Sequence, residues 1–428
     1  MSKNILYFFS LFTGLLLISS SAHAAVDPEV SYILNTLLFL IGGFLVMWMA
    51  AGFAMLESGL VTSKSVATIA AKNIGLYSIA GLMFWIVGYN LAYGIPEGGF
   101  IGNFIPWSDA SSIETGYSDG SDWFFQMVFC ATTCSIVSGT LAERIKIWPF
   151  FLFCAILAGF IYPIEMGWQW GGGHLAAAGF SDFAGSTLVH SAGAAAALAG
   201  ALILGPRLGR FSASGEVKSM EPFASSSIPL ATLGVFILWF GWFGFNGGSQ
   251  LAMGTFDDIT SVATIFINTN LAACAGVMTC AAISRLVRGK TDVIMMLNGA
   301  LGGLVAITAE PLTPSPIFAI IIGAIGGLIV FYGTLFLVKI KIDDVVGAIP
   351  VHGFAGIWGT LAVPLTNSDA SFGSQIYGIL WINIFVFVVS IAIWYLMKII
   401  MGIRISQEAE RLGTDKVEVG VMAYSIRD

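Results

Sequence analysis

Charge is what this chain has least of. Only 10% of its 428 residues are Asp, Glu, Lys or Arg, against 57% hydrophobic, where soluble domains carry about 25% charged residues. That composition excludes an ordinary soluble domain. The net charge of −7 says little about partners, and no nucleic acid is expected among them. Histidine is scarce, with four residues, and cysteine is limited to five. All five (Cys130, Cys134, Cys154, Cys274 and Cys280) fall within apolar runs and lack CxxC spacing, so they read as small buried packing residues. Sustained apolar–polar alternation is missing, which excludes a membrane β-barrel with its alternating segments of about 10 residues. There is no phosphate-binding loop, metal-ligand cluster or catalytic triad, so neither an enzyme nor a cofactor is expected.

What the chain does have is long apolar runs, each near the roughly 20 residues a spanning helix needs. The first is a separate matter. Lys3 precedes the apolar run Ile5–Ile18, then three serines, then Ala22-His23-Ala24, the small-x-small form of a cleavage site. Residues 1–24 are read as a signal peptide; the alternative is an additional N-terminal span. Eleven further spans are expected near 31–57, 73–94, 122–142, 147–166, 185–205, 226–247, 259–283, 293–309, 316–338, 346–365 and 375–400. With the mature N-terminus outside, every later Lys and Arg falls on inward loops or on the tail: Lys64 and Lys72, Arg144 and Lys146, Arg207 to Lys218, Arg285 to Lys290, Lys339 and Lys341, then Lys398 onward. Outward loops carry acidic residues and glycine instead, among them Glu97, Asp109, Asp119 and Asp257. This asymmetry sets an N-out, C-in orientation. The expected organisation is an eleven-helix domain over 25–402 and a cytoplasmic tail over 403–428.

His190 and His352 lie within the fifth and tenth spans in similar contexts, Val-His-Ser-Ala-Gly and Val-His-Gly-Phe-Ala. Five spans separate them, and five is odd. A five-span repeat is therefore inserted upside down the second time, which places a shared site near the membrane midplane. Ionisable groups within spans usually face an interior or a water-filled cavity. Two readings stay open for the pair: histidines bonding across helices as packing, or the lining of a pore that greets a small solute able to donate and accept hydrogen bonds. Phe125, Phe129, Trp168, Trp170, Trp242, Phe243 and Phe245 cluster near outward span ends. Such residues form interfacial belts, unless two or three rings converge on one cation, worth about 2 kcal/mol when desolvated. Asp182 lies eight residues before His190, about 12 Å along a helix. It reads as an N-cap of the fifth span more readily than as a cation ligand. His174, in the Gly171–Gly173 loop, is given no role.

These segments resemble the ammonium transporter family, in its microbial branch, over essentially the whole mature chain. The resemblance rests on Gly52–Leu60 (GFAMLESGL), Phe125-Gln126 through Phe129 with Gly139–Arg144 (GTLAER), Trp170–Gly173 with Asp182–His190 (DFAGSTLVH), Gly241–Ser249 (GWFGFNGGS), and Asp343-Asp344 with Val351-His352-Gly353. It implies an all-α polytopic membrane protein of eleven transmembrane helices, two inverted five-helix repeats plus a C-terminal helix, in a cell inner membrane. It implies an outer ammonium site at Phe129, Trp170 and Ser249, a gate of Phe129 stacked on Phe245, twin pore histidines His190 and His352, and Asp182 as structural support. Homotrimers and a cytoplasmic signalling partner of the PII class are implied too. The chain departs from the family pattern at Val345–Pro350, where many bacterial members carry an Asp. In the tail, Gly413, Asp415, Glu418, Gly420, Ala423 and Tyr424 fit, but Val419 replaces a usual His, which weakens the expectation of tail-mediated docking. The alternatives to a transporter are a neutral ammonia or carbon dioxide channel and an ammonium sensor.

Overall fold

The computed structural model describes residues 26–211 and 223–424; the expected signal peptide lies outside them. Among the described residues, eight helices are long and apolar enough to cross a bilayer. They are α1 (Pro28–Leu60), α2 (Val66–Tyr93), α4 (Ile147–Gly167), α5 (Ser186–Leu204), α6 (Ile228–Gly248), α7 (Phe256–Arg288), α9 (Pro316–Lys339) and α11 (Phe372–Ile400). Three more complete the expected set: α3 (Asp119–Thr140), whose buried face is rich in Ser and Thr, and the shorter apolar helices α8 (Val293–Ile307) and α10 (Ile349–Leu365). A short helix α12 (Gln407–Leu412) lies in the tail. The protein is an all-α polytopic membrane protein, with α1–α5 and α6–α10 as inverted repeats and α11 added after them.

Its polarity is turned inside out relative to a soluble domain. Large apolar side chains such as Trp48, Leu82, Phe236, Met278 and Leu286 are exposed on helix flanks. Meanwhile Thr133, Ser138, His190, Ser191, Asn246, Thr269 and His352 are buried. Hydrocarbon on the outside explains the first set, and hydrogen-bond partners inside the bundle explain the second. Helices approach closely where side chains are absent. A Cβ on Gly234 of α6 would collide with the backbone of Leu56 in α1, and one on Gly276 of α7 with the Gly299 carbonyl of α8.

Two expectations are corrected here. Lys72 is not in a loop: α2 begins at Val66, and Lys72 is buried within it. Its ammonium donates to the Ser138 carbonyl (2.7 Å) and sits 4.5 Å from the Phe150 ring centroid, which is what lets a lysine occupy a span. Cys274 is exposed on an outer face of α7, while the other four cysteines are buried.

The tail packs on the basic side of the bundle. Backbone bonds run from Lys146 to Ile403 and from Ile405 to Arg144. The Asp415 carboxylate accepts from the Ala67 and Thr68 amides at the start of α2 (2.9 and 2.8 Å), and Glu418 accepts from the Ile147 amide at the start of α4 (2.8 Å). The C-terminal tail and the basic loops therefore share the inward side. There, Arg207 joins the two repeats, donating to Glu143 and twice to the Asp343 carboxylate (2.8 and 2.9 Å). Burial alone would push the Asp343 carboxyl up, but Arg207, together with the charge of Arg144, holds it well below the usual carboxylate range. A lowered folded pKa contributes stability that is complete above about pH 4, the unfolded value, and is lost as pH falls toward the folded one. Asp343→Asn should cost about 3 kcal/mol by breaking a buried charged network. The check is the apparent unfolding temperature in detergent; melting within a degree of wild type would exclude a stabilising role.

Candidate functional site

The two histidines meet. Nδ1 of His190 lies 3.1 Å from Nδ1 of His352, with the rings stacked at 5.2 Å between centroids. One of these nitrogens must donate and the other accept. Among the described residues, Nε2 of His190 has no hydrogen-bond partner. Both residues sit on π-helical turns, Ser186–Ser191 in α5 and Ile349–Phe354 in α10. Such turns widen a helix locally and recur at functional sites.

A local device produces each turn. Asp182 lies three residues before Gly185 and eight before His190; Asp344 lies three before Gly347 and eight before His352. Both glycines have left-handed φ, +103° and +83°, which turns the chain into the helix without a Cβ clash. The Asp182 carboxylate accepts from the amides of Gly185, Ser186, Thr187 and Leu188 at 2.7–3.0 Å. Asp344 accepts from Gly347 and Ile349 at 3.2 and 2.7 Å, and from the Thr140 hydroxyl at 3.0 Å. The expectation of Asp182 as the N-cap residue is corrected: Gly185 holds that position, and Asp182 satisfies the first amides from three residues before it. The matching role of Asp344 was missed in the sequence, although the repeated Asp-x-x-Gly-x₄-His spacing carries it.

Next to the histidines lies a group of packed aromatic rings. Phe129 and Phe245 stack with centroids 3.9 Å apart and planes at 24°. Trp170 stands edge-on to Phe129 at 5.9 Å, and its indole N–H donates to the Asp182 carbonyl at 3.0 Å. Above the stack opens a cavity of about 430 Å³ lined by Phe129, Trp170, Ser249, Phe125, Tyr89 and Asp122, among others. The Ser249 hydroxyl donates to the Phe245 carbonyl at 2.8 Å, so its lone pairs remain available to a donor. Asp122, held by the Tyr89 hydroxyl at 2.5 Å, is an acid of this wall that the sequence pattern did not single out.

The aromatic cluster expected at the outer face divides. Phe125, Phe129 and Trp170 line the cavity. Trp242 lies deeper, stacked on His190 at 5.1 Å and donating to the Thr308 hydroxyl at 2.8 Å. Trp168 packs against His174, Trp381 and Phe385, and Phe243 against Phe266, apart from the cavity lining and the histidine pair. Helical periodicity explains the split: Trp242 and Phe245 share one face of α6, and Phe243 points from another.

A helical bundle in which an aromatic-walled cavity leads to two facing imidazoles has the form of a membrane transporter, not an enzyme. The profile of the Ammonium Transporter Family matches residues 37–424, and the chain belongs to that family. It is similar to the ammonium transporter Amt2 of Archaeoglobus fulgidus, 41% identical over 421 residues, covering 90% of this chain and 87% of the relative. A putative ammonium transporter of Synechocystis is 40% identical over 402 residues, covering 92% and 89%. Among solved structures, that of a sensor Amt protein superposes with a TM-score of 0.85 at 31% identity, covering 92% of this chain and all of that one. Candida albicans Mep2 superposes with a TM-score of 0.80 at 25% identity, covering 90% and 89%.

Asp182→Asn should remove the charge from a four-bond cap and present an amide N–H₂ to amide donors, costing about 3 kcal/mol. The larger fall in unfolding temperature is expected for Asp182→Asn and the smaller for Asp344→Asn, whose carboxylate takes fewer backbone bonds. The reverse order in thermal unfolding would contradict this account.

Proposed function

We propose that this chain transports ammonium across a cell inner membrane as a homotrimer with one pore in each subunit, after removal of residues 1–24. The observation that carries the reading is the single line from the outer cavity, through the Phe129–Phe245 stack, to the His190–His352 pair. Ammonium binds outside against Phe129 and Trp170 by cation–π attraction, with Ser249 accepting one of its N–H bonds. Asp182 acts at a distance, fixing the Trp170 indole and the start of α5. Phe129 and Phe245 are the gate.

The reading answers a physical problem. Ammonium and potassium have nearly the same size and charge, so an ion-coordinating filter separates them poorly. A site that requires the ion to give up a proton does separate them, because potassium has none. The ammonium ion loses its proton near the gate. Neutral ammonia then passes along His190 and His352, and the proton follows by a separate relay through the imidazoles, so that net charge moves. On the inward side, the docked tail and basic loops present a surface for a signalling protein of the PII class.

Solid-supported-membrane recordings on proteoliposomes test the function. Ammonium pulses should evoke a protein-dependent current and equal potassium pulses none. Absent current with faster alkalinisation of the lumen than in protein-free vesicles would mean a neutral ammonia channel. Silence in both assays would favour a sensor, the role by which one of the similar structures is named. His190→Ala should abolish the current or its selectivity; unchanged, fully selective uptake would remove the twin-histidine role.

A further inference from the structure

One pair of buried ionisable side chains takes no part in this scheme. Glu57 and Lys72 are each only 1% exposed, well inside the bundle. Ionisable groups at such depth are rare and point to ion or proton pathways. Glu57 lies one helical turn beyond Phe53 on α1, and the Phe53 ring sits 6.1 Å from that of His352. Glu57 and His352 line the same cavity, together with Phe53, Ser135, Gly139 and Val346. Its free volume is about 10 Å³, room for a single water. Both oxygens of the carboxyl accept hydrogen bonds, from the Ser138 hydroxyl (2.7 Å) and the Asn73 amide (3.3 Å). That pattern suits the ionised, acceptor-only form. Lys72 is tied to the same residue, Ser138, through its carbonyl (2.7 Å), so the ammonium is held beside the carboxylate with Ser138 between them.

We propose that Glu57, poised by Ser138, Asn73 and Lys72 at the inner end of the cavity it shares with His352, is the proton acceptor through which the relay leaves the pore. The inference rests on the transport reading above. An N–H bond of the His352 imidazolium breaks, one water hands the proton on, and an O–H bond forms on Glu57, leaving the imidazole neutral. The carboxyl then releases the proton to water on the inward side, past Gly139 and Val346, and the carboxylate returns to its two hydrogen bonds. One proton enters and one leaves, and no electrons move. The fixed charge of Lys72 restores the ionised carboxylate after each release.

The rival account is a structural tie between α1, α2 and α3. Removing one member of such a tie leaves a charge unpaired, while removing both together is often neutral. Ammonium-evoked currents and detergent unfolding temperatures should therefore be measured for wild type, Glu57→Gln, and the double variant Glu57→Gln/Lys72→Met. The expected result is a current at least tenfold below wild type in both variants, with the double variant folding at least as stably as the single one. A current above a tenth of wild type in either folded variant overturns the role of Glu57, and its recovery in the double variant identifies the tie. If Glu57→Gln does not fold, the double variant alone decides. A wild-type protein silent to ammonium would overturn the transport reading and this inference together.

Discussion

A helix that begins in the middle of a membrane protein exposes amide hydrogens with no water to receive them. Everything at the centre of this molecule depends on how that debt is met. Asp182 and Asp344 each turn a carboxylate onto the first amides of α5 and α10, and each is followed by a glycine in left-handed conformation. Because the starts are satisfied, the helices can open with a π turn, and the π turn carries the histidine. Two copies of one short device, related by inversion, therefore put two imidazoles 3.1 Å apart between nitrogens. Asp182 does one thing more: its carbonyl holds the Trp170 indole, so helix start and outer wall move as one piece.

The rest of the bundle sorts charge by depth. The outer cavity wall carries Asp122, the histidines occupy the centre, and the inward end holds Glu57 with Lys72 and then the Glu143–Arg207–Asp343 network. Isolated, any of these groups would be costly in a low-dielectric interior. Each is instead bound to a partner on another helix or on a loop between helices, so the groups that make the interior polar also fix the packing of the repeats.

Much of this was legible in the sequence, and the exceptions share a cause. Apolar runs gave the eleven spans because hydrocarbon imposes length and composition on each span independently of its neighbours. The histidine pair could be inferred from matching contexts and an odd number of intervening spans. Lys72 was misassigned because hydropathy treats a lysine as exposed, whereas its partners, Ser138 and Phe150, lie about seventy positions away. Cys274 and Phe243 were misplaced because the stretches around them are apolar or small on every side, leaving no pattern by which to tell a lipid-facing side from a packed one. The Asp-x-x-Gly-x₄-His repeat was present in plain letters. It passed unnoticed because the second copy lies in a stretch read for an Asp it lacks, not for the one it has.

The tail gives the chain an order of assembly. The starts of α2 and α4 have no side-chain cap of their own; their amides are received by Asp415 and Glu418, residues made hundreds of positions later. Chains emerge from the ribosome N-terminus first, so the second and fourth spans enter the membrane with raw ends and keep them until Asp415 and Glu418 have been made. The turn over Asp415–Val419 is a clasp. A nascent bundle can be threaded and repeat-paired beforehand, but its inward face is finished only when the clasp closes.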